Sequence, residues 1–272
     1  MNFDAVKNFR VLVVGDAIYD KYVFVRPLGK SIKESVISVA HEREEVYRGG
    51  VWAAAEHVKQ ICAQVDVMHG PRVLVNTRFV EGPVMRKLFT LHETREQEPS
   101  NGLLIGDYDV VIVTDFGHGT MTAELIERVS EEARFLAVNA QTNSSNFGFN
   151  LITKYRRADY VVVDELEARL AVHDKDAPIE DIVRLLPYSK IVVTLGSRGA
   201  VGFDGAFYGE SAIADTVVDT MGAGDAFLAV SAPFAAAGVS IRELVHVGNL
   251  AGAAKVGIIG HQHAVRREAL EE

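Results

Sequence analysis

Cysteine is nearly absent from this chain of 272 residues. Cys62 stands alone, so no disulfide can form within the chain and no thiolate cluster can hold zinc. A reducing compartment is the expected setting, and the cytoplasm the expected location. A basic surplus is missing too. The formal charge is −9, and no run of Lys and Arg occurs. That balance disfavours nucleic acid and an anionic membrane surface as partners. Before Gly15 the only apolar run is residues 11–14, too short for a signal-peptide core or a spanning helix. The first apolar run is not followed by GxGxxG, which argues against a dinucleotide-dependent dehydrogenase. Gly29, Lys30 and Ser31 end like a P-loop, but Phe24 stands where its first glycine belongs and no helical pattern follows. With no internal repeat, low-complexity tract or linker, residues 1–272 are expected to form a single domain.

What is present is an α/β rhythm. Hydrophobic residues make up 48% and charged residues 24%, which suits a chain that buries a sizeable core. Continuous apolar runs of strand length recur at 11–14, 110–113, 135–138, 160–163 and 191–194. Unbroken apolarity predicts strands covered on both faces, as in a parallel sheet. Helical spacing links several of them. Thr122 precedes Leu125, Ile126, Val129 and Ala133, and Ile179, Ile182, Val183 and Leu186 form a second set. The expected fold is a doubly wound, mostly parallel sheet. Residues 20–48 and 73–93 break the rhythm with charged and β-branched residues, and predict a small β lid. Small and apolar residues at 223–238 and 240–256 predict two packed helices over one face.

The strongest chemical signal is DTMGAGD at residues 219–225, opening a long helical pattern. Gly222 and Gly224 permit a tight turn, and the first amides of a helix lack partners and point outward. Together with the helix dipole they suit a phosphoryl group in transfer. Asp225 then falls in the first helical turn, where its carboxylate can accept the proton of an attacking hydroxyl. A helix N-terminus lowers a carboxyl pKa, so a late proton transfer to a loose phosphoryl transition state fits best. A plain turn with Asp225 as a helix cap remains the alternative for such a short motif. A second glycine-bearing turn follows the run at 191–194: Thr194, then Gly196 and Gly199. Turns at strand carboxyl ends commonly carry ligands. A simple hairpin of 200–203 with 206–208 is compatible with that reading.

With these motifs the chain resembles the ribokinase-like (PfkB) sugar kinases over nearly its whole length. Within them it looks most like the heptose-phosphate kinase type, including copies fused to nucleotidyltransferase domains. The resemblance implies ATP and Mg²⁺ as cofactors and a sugar or sugar phosphate as acceptor. It implies Asp225 as catalytic base, with Gly222, Ala223 and Gly224 as the anion hole. Asp16 and Asp20, in GDAIYD, match a segment that holds sugar hydroxyls, a task suited to carboxylates because each accepts several hydrogen bonds. Gly49 and Gly50 match a glycine pair near the sugar. Glu167, with Asp164, falls where the family orders magnesium and phosphate, often through water. Asn139, Thr194, Gly196, Gly199 and Asn249 are the implied nucleotide contacts.

The departures lie on the acceptor side. Ala53 stands where the family commonly carries Asn, Asp164 replaces Asn, and His118 replaces a Lys usual in heptose-phosphate kinases. Between Val67 and Val73 only five residues replace a strand, a gating segment and helices, so one flank of the sheet is shortened. Two functions stay in competition: an ATP-dependent kinase of a heptose-7-phosphate-like acceptor, and a degenerate kinase that only binds nucleotide or sugar. The lid is also the expected homodimer contact. His261 and His263 are expected to be solvent-exposed rather than metal ligands, and Cys62 to be core.

Overall fold

The computed structural model describes residues 1–82, 85–100, 103–214 and 216–271. The first apolar run becomes β1 (Arg10–Gly15), from which the chain leaves the central layer at once. Strands β2 (Ala17–Lys30) and β3 (Ile37–Gly50) form a long antiparallel pair, and α1 (Val51–Val58) returns to the core. Strand β4 (Gln64–Met68) lies parallel to β1. Then β5 (Arg72–Glu81) and β6 (Arg86–Glu96) join the outer pair, with β5 parallel to β2.

From β7 (Val110–Asp115) the α/β alternation is regular. It continues through α2 (Ala123–Glu132), β8 (Leu136–Ala140), β9 (Tyr160–Asp164), α3 (Glu165–Val172), α4 (Ile179–Leu185) and β10 (Ile191–Thr194). A hairpin of β11 (Ala200–Phe203) and β12 (Phe207–Glu210) closes that edge, and α5 (Ala223–Ala236) and α6 (Ile241–Val256) end the fold.

The central sheet has the order β12-β11-β10-β9-β8-β7-β1-β4, parallel from β10 to β4. Its apolar runs are continuous because both faces are covered. Val11 and Val13 pack with α1, α5 and α6, whereas Leu12 and Val14 pack with α2, α3 and α4. Thr122 caps α2 as its sequence implies, accepting a hydrogen bond from the Leu125 amide. Helix α5 is buried from Asp225 to Ala235, which explains an apolar composition with no polar stripe.

The segments expected as a β lid, 20–48 and 73–93, form a separate four-stranded sheet of order β3-β2-β5-β6. It is longer at both ends than the sequence implies, since each pair runs straight out of a core element. The shortened flank is visible at β4, the edge strand of the central sheet. Only His69, Gly70 and Pro71 separate β4 from β5. This link is tied down by the Gly70 amide, which donates to Thr120 Oγ1 at 3.2 Å.

Candidate active site

The loop 219–222 leads into α5 at the carboxyl ends of the parallel strands. Gly222 is the N-cap of α5 with φ +75°, a conformation that an L-residue adopts only with strain. A Cβ there would lie 2.9 Å from His261 Cε1, so space and backbone both require glycine. No side chain caps this turn. A Cβ on Gly224 would meet nothing within 4 Å, because this residue opens onto a cavity of about 320 Å³. That cavity is lined by Gly222, Ala223, Gly224 and Asp225 on one side and by Asn139, Asp164, Glu167, Thr194 and Gly196 on others. A volume of this size lies in the range of small-molecule sites.

Asp225 is only 6% exposed and accepts a hydrogen bond from Gln141 Nε2 at 2.6 Å. The helix N-terminus does not set its acidity, contrary to the expectation from sequence. Burial raises its pKa above the ordinary carboxylate value, against the opposing pull of His261, Gln141 and Lys255. A raised pKa makes Asp225 a stronger base than a surface aspartate.

Asp164 and Glu167 form a reciprocal capping box at the start of α3. Asp164 Oδ1 accepts from the Glu167 amide at 2.7 Å, and Glu167 Oε2 accepts from the Asp164 amide at 2.8 Å. The other Glu167 oxygen accepts from the Thr142 amide at 3.0 Å. Burial, with the neighbouring Asp164 charge, pushes Glu167 up to about 8, and burial raises Asp164 as well. The acidic helical turn and the candidate site are therefore one structure.

A hydrated Mg²⁺ fits this corner. Asn139 donates its amide to the Val162 carbonyl at 2.8 Å, which leaves Asn139 Oδ1 buried without a partner, as is Thr142 Oγ1. Both residues line the cavity beside the carboxylates. Among the described residues no group of three or more His, Cys, Asp and Glu side chains forms a direct metal cage. Magnesium keeps several waters and binds through few carboxylates, so oxygen donors of this kind suit it.

The structure separates two of the expected nucleotide contacts from the rest. Gly199 is fixed by packing, since a Cβ would fall 1.9 Å from the Glu210 carbonyl oxygen. Asn249 donates to Glu210 Oε2 at 3.1 Å and ties α6 to β12. Neither lines the cavity, whereas Asn139, Thr194 and Gly196 do.

On the acceptor side, both aspartates are buried and already engaged. Asp16 accepts from the amides of Phe116, His118 and Thr120 at 2.9–3.1 Å, so its carboxylate organises that loop. Its expected role on sugar hydroxyls has little lone-pair capacity left. Asp20 is ion-paired with Arg78 and lies 3.3 Å from His261 Nε2. Burial works to raise the Asp20 pKa, but the His261 hydrogen bond and the Arg78 charge outweigh it and hold the group below the usual range. Gly49 and Gly50 have steric reasons to be glycine: a Cβ on Gly49 would meet Asp20 Oδ2 at 2.3 Å, and one on Gly50 the Asp16 carbonyl oxygen at 2.3 Å.

His261 corrects an expectation outright. It is not solvent-exposed: its side chain is 6% exposed, lodged between Asp20, Gly49 and Gly222, with Nδ1 unpartnered. His263 is exposed as expected. Cys62 is core as expected; its thiol donates to the Val6 carbonyl at 3.3 Å, and burial pushes its pKa up to about 12. His118 lies beside a second cavity of about 420 Å³, lined also by Arg72, Leu74, Thr94 and Glu96. Burial lowers the His118 pKa although Asp16 pulls it upward. Sequence reasoning missed Arg78 and Lys255 as neighbours of the site, with nothing local to signal their contacts, whereas Gln141 falls in the strand-end segment 139–143 that the family resemblance places near the nucleotide phosphates.

The doubly wound sheet, the added four-stranded sheet and the glycine-rich start of α5 define a ribokinase-like fold. Ribokinase from Arabidopsis thaliana, solved with ribose and ATP, superposes with a TM-score of 0.67 at 15% identity, covering 97% of this chain and 98% of that one. A phosphofructokinase-2 mutant from Escherichia coli gives 0.71 at 13% identity, covering 97% of each chain. The model of the pfkB family of carbohydrate kinases matches residues 86–267, more than half of the chain, and the chain belongs to that family. Among curated relatives, the bifunctional protein HldE of Nitratiruptor sp. is 24% identical over 96% of this chain and 64% of its own length. HldE of Gluconacetobacter diazotrophicus is 30% identical over 62% of this chain and 36% of its own. The chain thus spans just under two thirds of the length of the first of these relatives. Among the described residues, no helix is long and apolar enough to cross a membrane.

Proposed function

We propose that the chain transfers the γ-phosphoryl group of ATP to a hydroxyl of a sugar or sugar phosphate, with a heptose-7-phosphate-like acceptor favoured. The observation that carries this reading is the buried, basic Asp225 in one cavity with the uncapped turn 222–224 and the carboxylates of Asp164 and Glu167. Asp225 takes the proton of the attacking hydroxyl late, as the phosphoryl group loosens from its leaving group. The amides at 222–224 receive the charge that develops on the phosphoryl oxygens. Gln141 holds the carboxylate of Asp225 toward the cavity. Magnesium, when bound, neutralises phosphate charge; Glu167 and Asp164 would hold it through water, with Asn139 and Thr142 supplying further oxygens. Thr194 and Gly196 line the same cavity and would border the nucleotide. The bound ATP in the Arabidopsis relative supports this choice of donor. The cation of Arg72 beside the second cavity supports an acceptor that carries a phosphate.

A non-catalytic binding role is the second reading. It is favoured by one observation: Asp16 and Asp20 spend their carboxylates on backbone amides, Arg78 and His261. ADP release measured against a panel of sugars and sugar phosphates separates the two. Turnover is expected with a heptose 7-phosphate; ATP binding without ADP release on any acceptor would overturn the kinase reading. The four-stranded sheet also fits a homodimer contact. Val46, Lys21, Thr77 and Leu91 line up across it in register, and Phe89 lies two residues from Leu91. Val46 on the β3 edge and Phe89 and Leu91 on the β6 edge are exposed apolar side chains, and the strand edges that carry them can seek a partner. Light scattering should give a dimer mass, and Leu91→Asp a monomer.

A further inference from the structure

Lys255 is the only buried lysine among the described residues, at 0% exposure. It occupies the last turn of α6, where a lysine ordinarily reaches solvent and complements the helix dipole. Here it turns inward. Its Nζ donates to the Met221 carbonyl at 2.8 Å and to the Gly260 carbonyl at 2.7 Å. Its Cε lies 3.3 Å from the position that a Cβ on Gly222 would take. The two carbonyls come from separate segments: the loop that opens α5 and the turn that follows α6. Asp219 joins the same segments, accepting from the Gly260 amide at 3.0 Å and from the Met221 amide at 3.3 Å.

A buried ammonium carries a desolvation cost that an apolar side chain of the same volume avoids. What this cation adds is two carbonyl contacts and a positive charge beside the candidate base. Asp219, Asp225 and Asp20 are its anionic neighbours, and His57, close by, is held neutral by burial, which pushes its pKa down to about 3. Lys87 reaches Asp219 from β6 at 3.6 Å.

We infer that Lys255 is a positioning residue for phosphoryl transfer: its ammonium is a resident cation that ties the Met221 and Gly260 carbonyls together and holds the 222–224 amides in place for the transferring group. The inference rests on the reading of those amides as the anion hole. An apolar residue at 255 would leave both carbonyls without their donor and free the loop to relax away from the phosphoryl position. Displacement of a catalytic group by as little as about 1 Å costs on the order of 10²-fold in rate.

The test is chemical rescue. Lys255→Ala vacates the space between the two carbonyls, and the ammonium ion is a probe that fits it. Turnover of Lys255→Ala should fall about 10²-fold. Ammonium chloride should restore a large part of it, and tetramethylammonium chloride at the same ionic strength should not. Lys255→Met, which fills the space without charge, should be impaired and stay unrescued, as should Asp225→Asn. Independently of any acceptor, the melting temperature of Lys255→Ala should rise saturably with ammonium and not with tetramethylammonium. A variant that folds only with ammonium present supports the inference in the same way. Wild-type turnover in Lys255→Ala, or equal response of its melting curve to both salts, overturns it. Absence of transfer by the wild-type protein on every acceptor is failure of the anion-hole reading instead, and the melting curves then decide the cation site alone.

Discussion

The two halves of the site are built differently. The phosphoryl half is assembled from one contiguous motif, residues 219–225, set against the ends of neighbouring parallel strands. It keeps open amides, orphaned oxygens and a base of raised pKa. The acceptor half is assembled from pairs far apart in the chain, Asp20 with Arg78 and His261, and Asp16 with the loop 116–120. Apart from the unpartnered His261 Nδ1, its charged groups are engaged with one another or with backbone amides, and the flank beside it ends at β4. Under the proposed function, an open half with orphaned oxygens and a half closed by ion pairs place chemistry and acceptor choice on different elements.

The largest effect should come from breaking the closed half. Arg78→Met strands the Asp20 charge with His261 alone, and unfolding should cost about 3 kcal/mol less, by denaturant titration. A shift under about 0.5 kcal/mol would mean that the pair is solvated and the half is not closed. Next is Asp225→Asn in the open half. Phosphoryl transfer should fall by about 10²-fold, equal to about 2.7 kcal/mol of barrier, with nucleotide affinity unchanged. Stability should hold, because the native site disfavours the charged form that Asn removes. The sign of the pH effect follows from the same shift. Asp225 accepts a proton only when ionised, so wild-type kcat/KM should drop as pH falls through its raised pKa, above the usual value of about 4. An acid limb at an ordinary carboxylate pKa would contradict this.

Smaller is the contrast of two glycines in one motif. Gly222→Ala should lose about 1–2 kcal/mol of stability through strain and the contact with His261. Gly224→Ala should keep or gain stability, as Ala favours a helix, while its methyl group intrudes on the cavity and weakens nucleotide binding. Equal melting temperatures for the two would erase the distinction. Smallest is His118→Lys. Burial keeps His118 neutral near pH 7, and a lysine would add charge to the second cavity. KM for a phosphate-bearing acceptor should fall roughly 5-fold, about 1 kcal/mol, with an unphosphorylated sugar unaffected.

How legible each half was in the sequence follows from the same contrast. The strands at 11–14, 110–113, 160–163 and 191–194, the Thr122 cap and the helix opening at 223 depend on local pattern and were readable as such. The place of Asp225 in the first turn of α5 was readable too, but not its acidity, which is set by burial under elements that no motif specifies. His261 looked like a surface residue because its partner Asp20 lies at the other end of the chain. Lys255 carries no local signal of the Met221 and Gly260 carbonyls that it reaches. The amides that engage Asp16 belong to a distant loop, which no local pattern around Asp16 signals. Gly199 and Asn249 sit at plausible spacings, yet backbone packing and Glu210 claim them.

Asp219 is touched from two strands of the outer sheet at once. Tyr22 of β2 donates to it at 3.4 Å and Lys87 of β6 approaches to 3.6 Å, while the Met221 amide of the loop before α5 and the Gly260 amide of the turn after α6 donate to it. Any rocking of the outer sheet over an acceptor therefore pulls on the loop that presents the amides proposed to bind phosphate. Thermodynamic linkage makes such a connection reciprocal: whatever factor a bound sugar contributes to nucleotide affinity, the nucleotide returns to the sugar. One aspartate would thereby set the synergy between the two substrates, and with it the order in which they are retained when both are scarce.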